Sequence, residues 1–211
     1  MDASPGIDTA VAVEGAAGRN EDRAAVFDRP EGRVLVVADG AGGIAGGAEA
    51  AEAVVAGIRR AVESADDVLD ADMWVGSLRQ LDIELWEDPE AGETTAVVAA
   101  VGPGRIAGAS AGDSGTLLVG PEDVAELTRN QPRRPFLGAG AARAEPFSAA
   151  EWRGRLLLAT DGLLKYAGRA SIAETARTGG LQAAAEALVD LVRLGSGALQ
   201  DDVAVVLCER R

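Results

Sequence analysis

The chain has 211 residues, a formal net charge of −14, one cysteine and no histidine. That length allows one sizeable domain, the charge sets the chain against a nucleic-acid backbone, and the missing imidazole removes Ser-His-Asp, Cys-His and His-ligated zinc chemistry. Apolar residues make up 47% and aromatics only 3%, so Ala, Val, Leu and Gly must pack the core.

The opening residues, Met1-Asp2-Ala3-Ser4-Pro5, carry neither a basic n-region nor an apolar run. No signal peptide is expected, and no stretch approaches the roughly 20 apolar residues that cross a bilayer, so a cytoplasmic protein without a membrane partner is expected. Short runs rich in Val and Leu predict strands over 7–13, 23–27, 33–38, 94–101, 105–109, 115–119, 155–160 and 203–208. Pro30-Glu31-Gly32 and Gly102-Pro103-Gly104 read as hairpin turns, which makes the strands they join antiparallel neighbours. Helical spacing runs over 48–62, where Ala50, Val54, Ile58 and Ala61 share a face, and over 72–87, with Trp74, Leu78, Leu81 and Leu85. It returns over 181–194, and the stretch 121–152 between the last strands reads as loop. Segregated antiparallel strands and helices predict an α+β layered fold, with residues 1–211 as a single domain. Cys208 falls in the terminal strand, where a buried structural role is expected.

Several acids stand at the tips of these strands. Asp39 ends Val34-Leu35-Val36-Val37-Ala38 and precedes Gly40, and Asp161 ends Leu156-Leu157-Leu158-Ala159-Thr160 and precedes Gly162. Asp201-Asp202 comes immediately before the last strand, and Glu21-Asp22 before the strand that begins at Arg23. A carboxylate at the end of a buried strand is costly unless it is paired or holds a cation. Mg²⁺ and Mn²⁺, which prefer oxygen ligands, supply that compensation. Glycine directly after the acid would let the backbone come close to an ion or phosphate. Each Asp-Gly taken singly is an ordinary turn signal; together the four positions point to a site.

Gly40-Ala41-Gly42-Gly43-Ile44-Ala45 also fits the dinucleotide fingerprint after a strand. Asp39 at its mouth would repel a pyrophosphate, and the following chain runs into hairpins rather than further strand–helix units. A nucleotide-dependent oxidoreductase is therefore disfavoured.

In order along the chain, Asn20-Glu21-Asp22, Ala38-Asp39-Gly40-Ala41-Gly42-Gly43, Glu93-Thr94-Thr95, Ala111-Gly112-Asp113-Ser114, Thr160-Asp161-Gly162-Leu163 and Asp201-Asp202-Val203-Ala204 resemble the successive motifs of the metal-dependent type 2C protein phosphatases. The resemblance spans residues 9–207. It implies two antiparallel sheets packed as a sandwich, flanked by helices, and a binuclear Mn²⁺ or Mg²⁺ centre at one end. It implies further that Asp39 bridges both ions and acts in catalysis, that Asp161 and Asp201 complete the first site, and that Glu21 and the Gly40 carbonyl serve the second. Asp22 would hold metal-bound waters, and Asp113 would belong to a third ion site. The implied activity is hydrolysis of phosphoserine and phosphothreonine in proteins by a metal-activated water, without a covalent enzyme intermediate. The partner implied is a phosphorylated protein, such as a cognate serine/threonine kinase, with the phosphatase itself a monomer.

The match departs from the family in four places. The arginine that members usually carry four residues before the first-motif Glu is Ala17 here, with Arg19 nearby at a different spacing, where a surface role is the alternative. Losing a charge-assisted phosphate contact would cost about 1.5–3 kcal/mol. Gly115 stands where arginine commonly follows the Gly-Asp-Ser motif, and Lys165 replaces an acid of the third ion site, whose ammonium would repel a cation. The flap over 120–153 is short, and its basic residues Arg129, Arg133, Arg134 and Arg143 are candidates to help receive a phosphorylated partner, a solvated loop being the alternative. Ala17 and Gly115 also motivate the alternative, a feeble relative that binds or regulates a phosphoprotein.

Overall fold

The computed structural model describes residues 6–16, 20–41, 46–150 and 152–211. Two five-stranded antiparallel sheets lie face to face, as the resemblance implied, with helices covering their outer faces. The first sheet runs β1 (Ile7–Glu14), β10 (Val203–Arg210), β9 (Arg155–Ala159), β6 (Gly115–Val119) and β7 (Val124–Glu126). The second runs β2 (Asp22–Arg29), β3 (Gly32–Asp39), β4 (Ala96–Val101), β5 (Arg105–Ala111) and β8 (Glu145–Ala150). Pro30-Glu31 closes the β2–β3 hairpin, and Gly102 to Gly104 closes β4–β5, where the Gly102 amide donates to the Arg105 carbonyl.

The near-continuous apolar runs follow from this layering, because both faces of the central strands are covered. On β3, Val34, Val36 and Ala38 face α1 (Gly47–Ser64) and α2 (Ala71–Glu87), while Leu35 and Val37 face the other sheet. On β10, Val203, Val205 and Leu207 pack against α4 (Arg169–Arg177) and α5 (Leu181–Asp190), while Val206 and Cys208 point between the sheets. Each fully buried Val or Leu contributes about 1.5–3 kcal/mol, so many small side chains do here what few aromatics do elsewhere. Trp74 is an exception, fully buried with its indole N–H donating to the Val68 carbonyl at 2.8 Å. Burial pushes the Cys208 thiol up to about 12, which leaves it inert near neutral pH.

The stretch read as loop over 121–152 contains two strands. β7 has only three residues, too few for a periodic signal. β8 carries Pro146 and buries only Phe147, a pattern tolerated because it forms a sheet edge beside β5. Thr94 lies outside β4 and makes isolated bridges to Gly40 and Leu137. α5 ends four residues short of the predicted 194, and the short α3 (Asp161–Leu164) begins at a strand-tip acid.

Candidate metal centre

Asp22 and Asp39 face each other as the last cross-strand pair of the β2–β3 hairpin. The Gly40 amide donates to the Glu21 carbonyl at 3.3 Å, which closes the end of that ladder. Asp113 sits where the chain leaves β5 in one sheet and enters β6 in the other. Asp161 follows β9 and opens α3, and Asp201-Asp202 leads into β10. Carboxylates from both sheets thus meet at one end of the sandwich.

Carboxylate oxygens of Asp39, Asp113 and Asp161 all lie within 4.8 Å of one another. Unneutralised charges at that spacing repel by roughly 3 kcal/mol per pair at an effective dielectric of about 20. Burial first, and repulsion of that kind second, holds four carboxyls at this end above their ordinary range. Burial, reinforced by Asp22, Asp161, Asp113 and Asp201, raises the Asp39 carboxyl to about 9. Burial raises Asp22 to about 7 against the lowering effect of a hydrogen bond from Thr160, with Asp202, Asp161 and Asp201 adding to the rise. Asp161 is raised by burial and by Asp113, and Asp201 by burial and by Asp161. A half-buried, all-oxygen, like-charged donor set fits a hard divalent cation, which would supply the missing positive charge.

Neighbouring residues fix this geometry. Thr95 donates its amide to the Asp39 carbonyl at 2.9 Å and accepts the Asp39 amide on its hydroxyl at 3.1 Å. The Thr94 hydroxyl donates to the same Asp39 carbonyl at 2.9 Å, so the Glu93-Thr94-Thr95 motif clamps the Asp39 backbone from both sides. Thr95 and Ser114 share a hydroxyl hydrogen bond of 2.6 Å, tying Asp39 to the Asp113 segment. Gln131 Nε2 donates at 2.6 Å to the carbonyls of Gly112 and Ser114, the two residues flanking Asp113. Asp202 accepts the amides of Ala16 and Glu21, holding the start of the first motif against the last.

Among the predicted site residues, the structure groups Asp39 and Asp161 with Asp113. Asp201 is close enough to raise Asp39 but stands outside the three-carboxylate group. Glu21 and Gly40 are joined through their backbones. Lys165 Nζ lies 3.8 Å from Asp161 Oδ2, an ammonium beside the carboxylates. Arg133 lines the cleft next to Asp113 and Asp161, whereas the Arg134 guanidinium lies 4.2 Å from the centre of the Phe136 ring. Ala17 and Arg19 fall outside the described residues. The glycines after the two acids leave room for backbone rather than for a ligand. A Cβ on Gly40 would stand 2.3 Å from the Gly47 carbonyl oxygen, and one on Gly162 would stand 1.9 Å from that of Asp202. Sequence reasoning missed Gln131 and the clamp by Thr94 and Thr95. A polar pair straight before an all-apolar strand was the one available signal for the clamp.

This sandwich, with acids from both sheets gathered at one end, defines a metal-dependent phosphatase fold. The chain belongs to the protein phosphatase 2C family, whose model matches residues 14–193. The fold is similar to that of the serine/threonine phosphatase Stp1 from Staphylococcus aureus, with a TM-score of 0.86 and 19% identity over 100% of this chain and 98% of that one. The catalytic domain of the serine/threonine protein phosphatase PstP, solved in complex with 2 manganese ions, gives a TM-score of 0.80 and 20% identity over 96% of this chain and 97% of that one. PppA from Pseudomonas aeruginosa gives a TM-score of 0.79 and 21% identity over 97% and 98% of the two chains. No curated protein matches the chain.

Proposed function

We propose that the whole chain acts as one catalytic domain that hydrolyses phosphoserine and phosphothreonine in proteins, using two Mn²⁺ or Mg²⁺ ions. The observation that carries this reading is the three-carboxylate group of Asp39, Asp113 and Asp161, drawn from both sheets and lacking enough neighbouring positive charge to balance it. Asp39, Asp161 and Asp201 would hold one ion, and Asp39, Glu21 and the Gly40 carbonyl the other. Divalent ions held there would supply positive charge beside the phosphoryl oxygens and an activated water near neutral pH. The chain's own residues hold and orient. Asp22, hydrogen-bonded by Thr160, is assigned to accept a proton or orient solvent at the hairpin end. Asp113 contributes a further carboxylate, and Lys165 beside Asp161 provides fixed positive charge where an additional cation would otherwise be drawn. Arg133, on the flap side of the same cleft, is assigned to receiving the phosphorylated substrate segment.

The proposed substrate is a phosphorylated protein, with a cognate serine/threonine kinase as one such partner. The enzyme is proposed to work as a cytoplasmic monomer, and no described helix is long and apolar enough to cross a membrane. The test is hydrolysis of p-nitrophenyl phosphate and of a phosphothreonine peptide with Mn²⁺, with and without chelator. Asp39→Ala should abolish turnover while the circular dichroism spectrum is kept. Full activity in that variant would overturn the assignment.

A further inference from the structure

The cleft beside the carboxylate group is larger and more basic than one phosphate monoester requires. It has a volume of about 510 Å³, with Asp113 and Asp161 in its lining. That size lies within the range of about 300–1,000 Å³ typical of pockets for ligands of drug size, so it can take a short peptide segment. Four cations share the lining, Arg129, Arg133, Lys165 and Arg169, in a protein with 20 basic against 34 acidic residues. Two of the four are neutralised locally. Lys165 pairs with Asp161, and Arg169 pairs with Glu126, also in the cleft lining. Among the described residues, Arg129 and Arg133 have no hydrogen bond and no ion pair.

The backbone that carries these two guanidiniums is anchored. Arg129 follows Thr128, a buried residue whose hydroxyl accepts the Thr116 amide of β6 at 3.0 Å. Arg133 lies two residues beyond Gln131, which is bonded to the carbonyls on either side of Asp113. Two guanidiniums without a hydrogen bond or ion pair, carried on an anchored segment of the cleft lining, can turn to a common anion with the backbone already ordered, which lowers the ordering cost of binding one. Guanidinium favours phosphate because its planar fork can donate two parallel hydrogen bonds.

We propose that this cleft is a docking subsite for a second phosphorylated residue of the same substrate segment, so that the enzyme prefers peptides phosphorylated at two nearby positions. This rests on the phosphatase reading above: one phosphate lies at the carboxylate group and the other between Arg129 and Arg133. The second phosphate is held, not cleaved, in that pose.

Three peptides of one sequence test it, all with phosphothreonine at the reacting position and Mn²⁺ present. The second position is alanine, glutamate or a non-hydrolysable phosphonate, and p-nitrophenyl phosphate serves as a small substrate. The phosphonate peptide should show kcat/KM about tenfold above the alanine peptide, carried by KM, with glutamate in between. That ratio should fall towards one in about 0.5 M salt, where the screening length is roughly 4 Å. It should fall likewise in Arg129→Ala and in Arg133→Ala, both exposed positions whose truncation does not threaten the core. Calorimetric binding of the same peptides is measured alongside. Equal kcat/KM and equal affinity for the three peptides would overturn the subsite even if p-nitrophenyl phosphate is hydrolysed. Failure to hydrolyse any substrate would sink the phosphatase reading, while a surviving affinity difference would still support the subsite.

Discussion

Thr160 joins the two sheets through Asp22: its hydroxyl donates to Asp22 Oδ2 at 2.7 Å and accepts the Ala204 amide at 2.9 Å. Thr160 follows β9 of one sheet and Asp22 begins β2 of the other, so one buried side chain ties the two sheets together at this end. Thr160→Val keeps the shape and removes both bonds, leaving a buried amide and a buried carboxyl without their partner. The expected cost is about 1.5–3 kcal/mol, or a fall in melting temperature of about 2–4 °C per kcal/mol at this chain length. Thr160→Ser should recover most of it. A valine variant as stable as the parent would show that the bond contributes nothing.

Acidity should stabilise the metal-free chain. Burial raises Asp22 to about 7 and Asp39 to about 9 in the folded state, against about 3.9 for an unfolded aspartate. Between those values the folded chain binds more protons than the unfolded one, so unfolding free energy declines as pH rises. This contribution is complete below about pH 3.9 and is lost as pH passes through the two folded values. Urea denaturation in chelator at intervals from about pH 5 to pH 8.5 should therefore give falling midpoints, apart from ordinary acid effects at other carboxylates. Excess Mn²⁺ should remove the decline, since the ion binds the ionised form. A chelated protein that gained stability over the same interval would contradict the raised values.

Gln131 should act on the metal centre without touching a metal. Its amide is the donor to the carbonyls flanking Asp113, and Gln131→Leu leaves both without it at similar side-chain volume. A loss of about 1–3 kcal/mol in stability is expected from the unpaired acceptors alone. The distinguishing measurement is a Mn²⁺ titration by calorimetry, in which the apparent Kd should rise by about 3- to 10-fold. Lower stability with unchanged Mn²⁺ affinity would reduce Gln131 to a structural role.

The eight predicted strands were readable because covered sheets leave long apolar runs with an acid or a turn at the end, as at Val34 to Asp39. β8 was not, because an edge strand needs only one buried side chain, Phe147, and tolerates Pro146. The strand-tip acids were legible by position, but the partners that hold them were not. Thr94 and Thr95 act across 55 and 56 residues on Asp39, and no local pattern marks such a contact. Asp82 is similar: buried on α2, it accepts the amides of Gly138, Gly140 and Ala142 and so pins the flap to the helix. Its place in the stripe of Leu78, Leu81 and Leu85 was a signal, since an acid on a buried helix face must be satisfied by something. Gly162 was read as letting the backbone come close to an ion or phosphate; the Asp202 carbonyl lies where its Cβ would be, so the glycine also serves the approach of two motifs to each other.

Because the acids arrive from opposite layers of the sandwich, a cation lodged among them is a cross-link as much as a reagent. Starving the protein of divalent ions should do more than stop turnover. It should unfasten that end of the molecule, so that amide exchange accelerates first at the mouths of β2, β3 and β9, and the supply of metal should set how long each copy survives as well as how fast it works.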